Sequence, residues 1–107
     1  MVDGFPFRHS LQVRHADTDA QGHVFFGNYL VYFDEALAAY LQSLALAWDR
    51  LVAQGLDIVY ADSQCSFRAS AHAGDRLATG VRVARLGNSS LTFEFQTLQA
   101  ETGKTVA

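Results

Sequence analysis

The sequence predicts an α+β fold, with an antiparallel sheet wrapped around one long central helix. Three observations predict it. Residues 7–14 alternate polar and apolar. A run free of Gly and Pro extends from Asn28 to Gln54. Period-two patterning then returns in short segments divided by turn residues. The chain has 107 residues, which implies one domain over residues 1–107. Area scaling has a domain this size bury roughly 60–65% of its unfolded surface, enough for one core of modest stability that oligomerisation would reinforce.

Each element follows from its pattern. In FRHSLQVR, Phe7, His9, Leu11 and Val13 share one face and Arg8, Ser10, Gln12 and Arg14 the other, as in a half-buried strand. Residues 15–27 are polar and Gly-punctuated, a loop with turn chemistry at Asp17, Asp19, Gly22 and Gly27. Asn28 is placed to cap the following helix. From Ala36 to Trp48 apolar residues cover most of the helical surface, as on a helix enclosed by protein. The run to Gln54 would span about 40 Å, too long for this domain, so a break is expected near Leu46–Trp48. Gly55 ends the segment.

After Gly55 the period becomes two. Over Ile58–Ala69 one face carries Val59, Ala61, Ser63, Cys65, Phe67 and Ala69, mostly small side chains that would let a helix lie close. Ala73-Gly74-Asp75 is a turn, and Arg76–Leu86 is a third strand with Val81 and Val83 inward. Gly87-Asn88-Ser89 turns into a fourth strand, Leu91–Ala100, with Leu91, Phe93 and Phe95 on one face. Glu101–Lys104 is a hairpin turn. Thr105-Val106-Ala107 begins a fifth strand, and a sheet enclosing such a helix needs the whole of it, so a truncated chain is expected.

Composition excludes several classes. Net charge is −3, and the seven Arg and single Lys are scattered, so no basic stripe for nucleic acid exists. One cysteine, Cys65, permits no internal disulfide and no cysteine metal site. The longest mostly apolar stretch falls short of the ~20 residues that span a bilayer, and the N-terminus lacks a signal-peptide core. A cytoplasmic protein without membrane, nucleic-acid, metal or cofactor requirement is expected.

The stretch Val13–Leu41, VRHADTDAQGHVFFGNYLVYFDEALAAYL, carries the chemistry. Asp17, Asp19, Gly22, Val24, Phe25, Phe26, Asn28, Tyr29, Phe33 and Glu35 form a D-x-D-x-x-G-x-V element, an aromatic pair, N-Y and an apolar helix with an early acid. This pattern resembles the hotdog-fold thioesterases of the 4-hydroxybenzoyl-CoA thioesterase type. The turns at Ala73–Asp75 and Leu86–Ser90 extend the similarity over nearly the whole chain. The resemblance implies a dimer with a continuous sheet, in many members a tetramer, with active sites at the dimer interface. It implies cleavage of a small aryl- or fatty-acyl-CoA. Asp19, the second Asp of the motif, would be the catalytic carboxylate, and the Phe26 N–H would polarise the thioester carbonyl.

Elementary chemistry agrees. Thioester hydrolysis needs a carboxylate to activate water or attack directly. It also needs donors aimed at the developing oxyanion, and a loop entering a helix supplies unpaired N–H groups. An isolated D-x-D is ordinarily a turn former; the surrounding pattern makes Asp19 a catalyst, whereas Asp17 reads as a turn stabiliser. Asn28 would support the site. His23 either orients substrate or acts as an acid, or is a loop histidine hydrogen-bonded to an Asp. Asp34 and Glu35 suit a helix N-terminal dipole; Glu35 is the fallback catalyst, since a second hotdog clade carries its carboxylate on this helix. Cys65 reads as a packing residue. Phe25 and Tyr29 are candidates for the acyl pocket. The pattern departs from the family at the turn before the fourth strand, where the family places basic residues on the CoA phosphates. Here Gly87-Asn88-Ser89 has only Arg85 nearby, leaving Arg68, Arg82, Arg85 and Ser89 as substitutes and leaving CoA against a carrier protein open.

Two alternatives share the fold. Gly22-His23 followed by Glu35 is superficially similar to the G-H…E of hydroxyacyl dehydratases, but their intervening Pro-Gly segment is missing and the only proline is Pro6. A non-catalytic acyl-binding hotdog protein is the other.

Overall fold

The first strand, β1 (Phe7–Gln12), follows its alternation, with half-buried and exposed residues in strict turn. The structure is a computed structural model that describes residues 4–46, 48–55 and 59–107, without the side chains of Trp48 and Leu51. After a single 3-10 turn (His15–Asp17) come α1 (Asn28–Ser43), α2 (Trp48–Ala53), β2 (Arg76–Leu86) and β3 (Leu91–Gln99). The three strands form one antiparallel sheet in the order β1-β2-β3. Phe7 faces Val81 across one seam, and Thr79 faces Thr97 across the other.

Helix α1 lies on one face of this sheet. Ala36, Leu37 and Leu41 pack against Val81, while Phe33 stacks on Phe95 at 4.9 Å and Tyr40 meets Phe7 at 5.4 Å. A second cluster joins Tyr29 and Tyr32 to Val13, Val24, Ala71, Leu77 and Val106. Both sheet and helix thus contribute their apolar faces to one layer. The N-terminal segment folds over the opposite face. Phe5 covers Gly80 so closely that a Cβ there would lie 2.8 Å from the Phe5 Cβ, which is why glycine occupies this strand position.

The expected helix break is present and has a local cause. Ala45 adopts a left-handed φ of 59°, its N–H donates to the Gln42 carbonyl, and the Leu46 N–H donates to the Leu41 carbonyl. This paired 5→2 and 6→1 closure stops the helix although no glycine is available. Leu30, Val31, Leu44 and Leu46 remain exposed, so α1 is buried along one face rather than all round.

Several expectations are corrected. Asn28 is the first helical residue, not the cap; Gly27 holds the cap position without a side-chain bond. Val83 is exposed, because the register shifts between Val83 and Arg85 and releases the strand end from the core. The strand expected over Ile58–Ala69 has Ile58 outside the described residues, and residues 59–69 form no ladder. A strand needs a partner along its length. Among the described residues this segment's backbone meets one, Val106, whose carbonyl accepts the Arg68 N–H at 2.9 Å. The fifth strand is a single bridge, Leu98 to Thr105, extended by Val106 N–H to the Thr97 carbonyl. Between β3 and residues 62–68 lies an open cavity of about 780 Å³.

Candidate active site

The loop from Arg14 to Gly27 is built on Asp17. Its carboxylate accepts the Arg14 guanidinium at 2.9 Å, the Arg14 N–H at 3.1 Å and the Tyr32 hydroxyl at 2.9 Å. Burial pushes the Asp17 carboxyl up, but these donors outweigh it and hold it below its ordinary value. Burial and the same carboxylate push the Tyr32 hydroxyl up. The Asp17 carbonyl accepts both the Phe25 N–H and the Asn28 side-chain amide, each at 2.9 Å. Asp17 therefore shapes the approach to α1, as its turn-stabilising reading requires, and Asn28 acts on that approach through its side chain.

Asp19 occupies a tight turn of its own. Its Oδ1 accepts the Gln21 N–H at 2.9 Å and the His23 N–H at 3.3 Å, and its N–H donates to the His23 carbonyl at 2.8 Å. Gly22 supplies the positive φ of 81° that this closure needs. The carboxylate is exposed, and among the described residues Oδ2 accepts no hydrogen bond. One carboxylate oxygen is thus anchored, and the other has no partner among the described residues.

At the helix entry the Asn28 N–H donates to the Phe25 carbonyl and the Tyr29 N–H to the Phe26 carbonyl. The Phe26 N–H, just ahead of these, has no partner among the described residues. An open donor at the positive end of α1 and a half-anchored carboxylate therefore share one loop. The Phe25 and Phe26 rings lie 4.7 Å apart and both are exposed. Phe67 meets Phe26 edge-on at 6.0 Å and Tyr29 at 5.7 Å. The sequence pattern sets Phe67 among Val59, Ala61, Ser63, Cys65 and Ala69, and nothing in that pattern marks its contact with Phe26.

The remaining candidates are distributed. Tyr29 is buried in the core and its hydroxyl accepts the Ala71 N–H at 3.3 Å. His23 bridges to His72, with ring centroids 4.9 Å apart and its Nδ1 3.4 Å from the Ser70 hydroxyl. Arg82 bonds Glu94 through Nε and Nη2, both at 3.1 Å, reaches the Gly4 carbonyl, and lies over the Phe5 ring. Arg68 lines the cavity beside β3, and Arg85 and Ser89 are exposed near the β2–β3 turn. Glu35 is exposed on α1, and the neighbouring Asp34 accepts the Tyr60 hydroxyl. Burial pushes the Cys65 thiol up, which suits packing rather than nucleophilic attack. Among the described residues no group of three His, Cys, Asp or Glu is set to hold a metal ion, and no helix is long and apolar enough to cross a membrane.

This geometry can be compared with known proteins. A family model described as the thioesterase superfamily matches residues 21–106. The chain belongs to the thioesterase superfamily. Among relatives of this thioesterase is the 1,4-dihydroxy-2-naphthoyl-CoA hydrolase of Synechocystis sp., 31% identical over 94% of this chain and 74% of that protein. The crystal structure of a 1,4-dihydroxy-2-naphthoyl-CoA thioesterase from Synechocystis has a TM-score of 0.83 at 29% identity, covering 94% of this chain and 74% of that one. A thioesterase from Thermus thermophilus, crystallised with coenzyme A and Zn, has a TM-score of 0.81 at 31% identity, covering 96% and 78%. The thioesterase is a thioester hydrolase with the hotdog architecture, an antiparallel sheet packed on one central helix. Membership decides against the dehydratase reading of His23 and Glu35.

Proposed function

We propose that this thioesterase hydrolyses a small aryl- or fatty-acyl-CoA to the free acid and CoA, with Asp19 as its catalytic carboxylate. The observation that carries the reading is the open Phe26 N–H on the same loop as Asp19, whose Oδ2 is free while Oδ1 is tied down. The names of the Synechocystis relative and the CoA-bound Thermus thermophilus thioesterase support acyl-CoA as the thioester.

The reaction follows from these groups. As general base, Asp19 takes a proton from water, and the hydroxide adds to the thioester carbonyl carbon. The carbonyl oxygen becomes an oxyanion that accepts the Phe26 N–H, a donor strengthened by the dipole of α1. Collapse breaks the C–S bond, and the CoA thiolate takes up the proton held by Asp19. As nucleophile, Asp19 would add directly, expel the thiolate and leave an anhydride for water to cleave. Asn28 supports the site by holding the Asp17 carbonyl, and His23 by closing the Asp19 turn. The step draws on no metal or cofactor. Arg68, Arg85 and Ser89 are the groups left to meet the CoA phosphates, since Arg82 is held by Glu94 and Phe5. A second copy of the chain completes the site at its exposed apolar rim.

Asp19→Asn tests this reading. The exposed site tolerates the isostere, so the variant should fold and bind CoA within about twofold of wild type while kcat falls at least about 10²-fold. Full turnover by Asp19→Asn with an acyl-CoA that the wild type cleaves would overturn the assignment.

A further inference from the structure

We propose that Phe67 is a specificity-determining residue, the wall against which the acyl group lies when its carbonyl sits on the Phe26 N–H. The proposal rests on the reading of Asp19 and Phe26 given above and assigns a role to a residue outside that loop.

Four observations carry it. Among the alternate positions Val59, Ala61, Ser63, Cys65, Phe67 and Ala69, Phe67 is the one ring. Within the single chain Phe67 is 50% exposed, so the chain's own core does not enclose its ring. Its edge rests on the ring of Phe26, at 6.0 Å and 87°, the residue that carries the open donor. The Phe26 and Phe67 rings thus offer one path to a group bonded to a carbonyl on that donor. Finally, exposed Phe25 and Leu30, the latter one helical turn beyond Phe26, extend the same apolar rim.

Chemistry decides which arm of the thioester takes this path. The CoA arm carries phosphates and needs cations, while the rim formed by Phe25, Phe26, Leu30 and Phe67 offers none. The acyl arm needs apolar contact, and aromatic walls grip flat or aliphatic groups alike. Adjacent Arg68 lines the cavity beside β3, which Phe67 does not line. One short stretch therefore presents an apolar wall toward the donor and a cation toward a separate space.

The test compares wild type, Phe67→Ala and Phe67→Trp on acetyl-, hexanoyl-, benzoyl- and naphthoyl-CoA, with free CoA binding and melting temperature measured alongside. Phe67→Ala should lose about tenfold in kcat/KM, through KM, on the acyl group that wild type prefers, and lose less or gain on larger ones. Phe67→Trp should shift preference toward smaller groups. Free CoA should bind all three within about twofold. A uniform loss across the panel, or a loss of CoA affinity, would assign Phe67 a structural role and overturn the proposal. An unchanged preference in both variants, with turnover still abolished by Asp19→Asn, would overturn it alone. Wild type inactive on every acyl-CoA would overturn both readings.

Discussion

Two aspartates separated by one residue have opposite environments. Asp17 is buried and satisfied by Arg14 and Tyr32, whereas Asp19 is exposed with one oxygen open. Catalysis needs the second arrangement, and a rigid loop needs the first. Because the Asp17 carboxyl is held below its ordinary value, its contribution to stability is complete above the unfolded value of about 3.9. It is lost as pH falls from there through the folded value. Asp75 behaves likewise, held down by Gln99 and His72 against the cost of burial. The thermal stability of wild type should therefore fall below about pH 4, and Asp17→Asn should flatten that slope. Asp17→Ala should cost about 1–3 kcal/mol at neutral pH, since it strands the buried Tyr32 hydroxyl. An acid slope unchanged in Asp17→Asn would contradict this account of the loop.

At the level of elements, the seam between β2 and β3 contains a buried polar pair. Thr79 and Thr97 face each other in register, both fully buried, with hydroxyl oxygens 2.8 Å apart. Each satisfies the other inside the layer beneath α1. Thr79→Val or Thr97→Val alone should cost about 1–3 kcal/mol, because one hydroxyl is left without a partner. The double variant should cost clearly less than the sum, since no unpaired group remains. Urea unfolding of the four proteins measures this, and strict additivity would show that the two hydroxyls do not depend on each other. The break between α1 and α2 has a different character. It comes from the backbone closure around Ala45.

For the whole molecule, Leu44, Leu46, Val52, Val83, Leu86 and Leu91 are exposed at scattered positions, whereas Phe26, Leu30, Val59, Tyr60 and Phe67 lie at the entry or first turn of α1 or on residues 59–69, the segment without a ladder. A clustered rim of this kind marks a surface made to be covered. We expect the protein to self-associate through it as a homodimer or homotetramer. Sedimentation of wild type against Val59→Asp checks this. Association weakened by the variant is the expected result, and a wild type that stays monomeric at high concentration would refute it.

Local patterning was enough to place β1, β2 and β3, the extent of the central helix, and the loop that carries Asp19. Alternation, absence of Gly and Pro, and turn residues all act within a few positions. Folding decided what depends on distant partners. Residues 59–69 alternate like a strand, but a ladder requires a neighbour, and only Val106 meets their backbone among the described residues. Asn28 has the composition of a cap, but the Asp17 carbonyl, brought near by the folded loop, claims its side chain. Arg82 was legible as a cation, but only folding laid it on Phe5 and Glu94. Phe67 looked like packing until the chain set it against Phe26, because contact between residues so distant in the chain leaves no trace in local pattern.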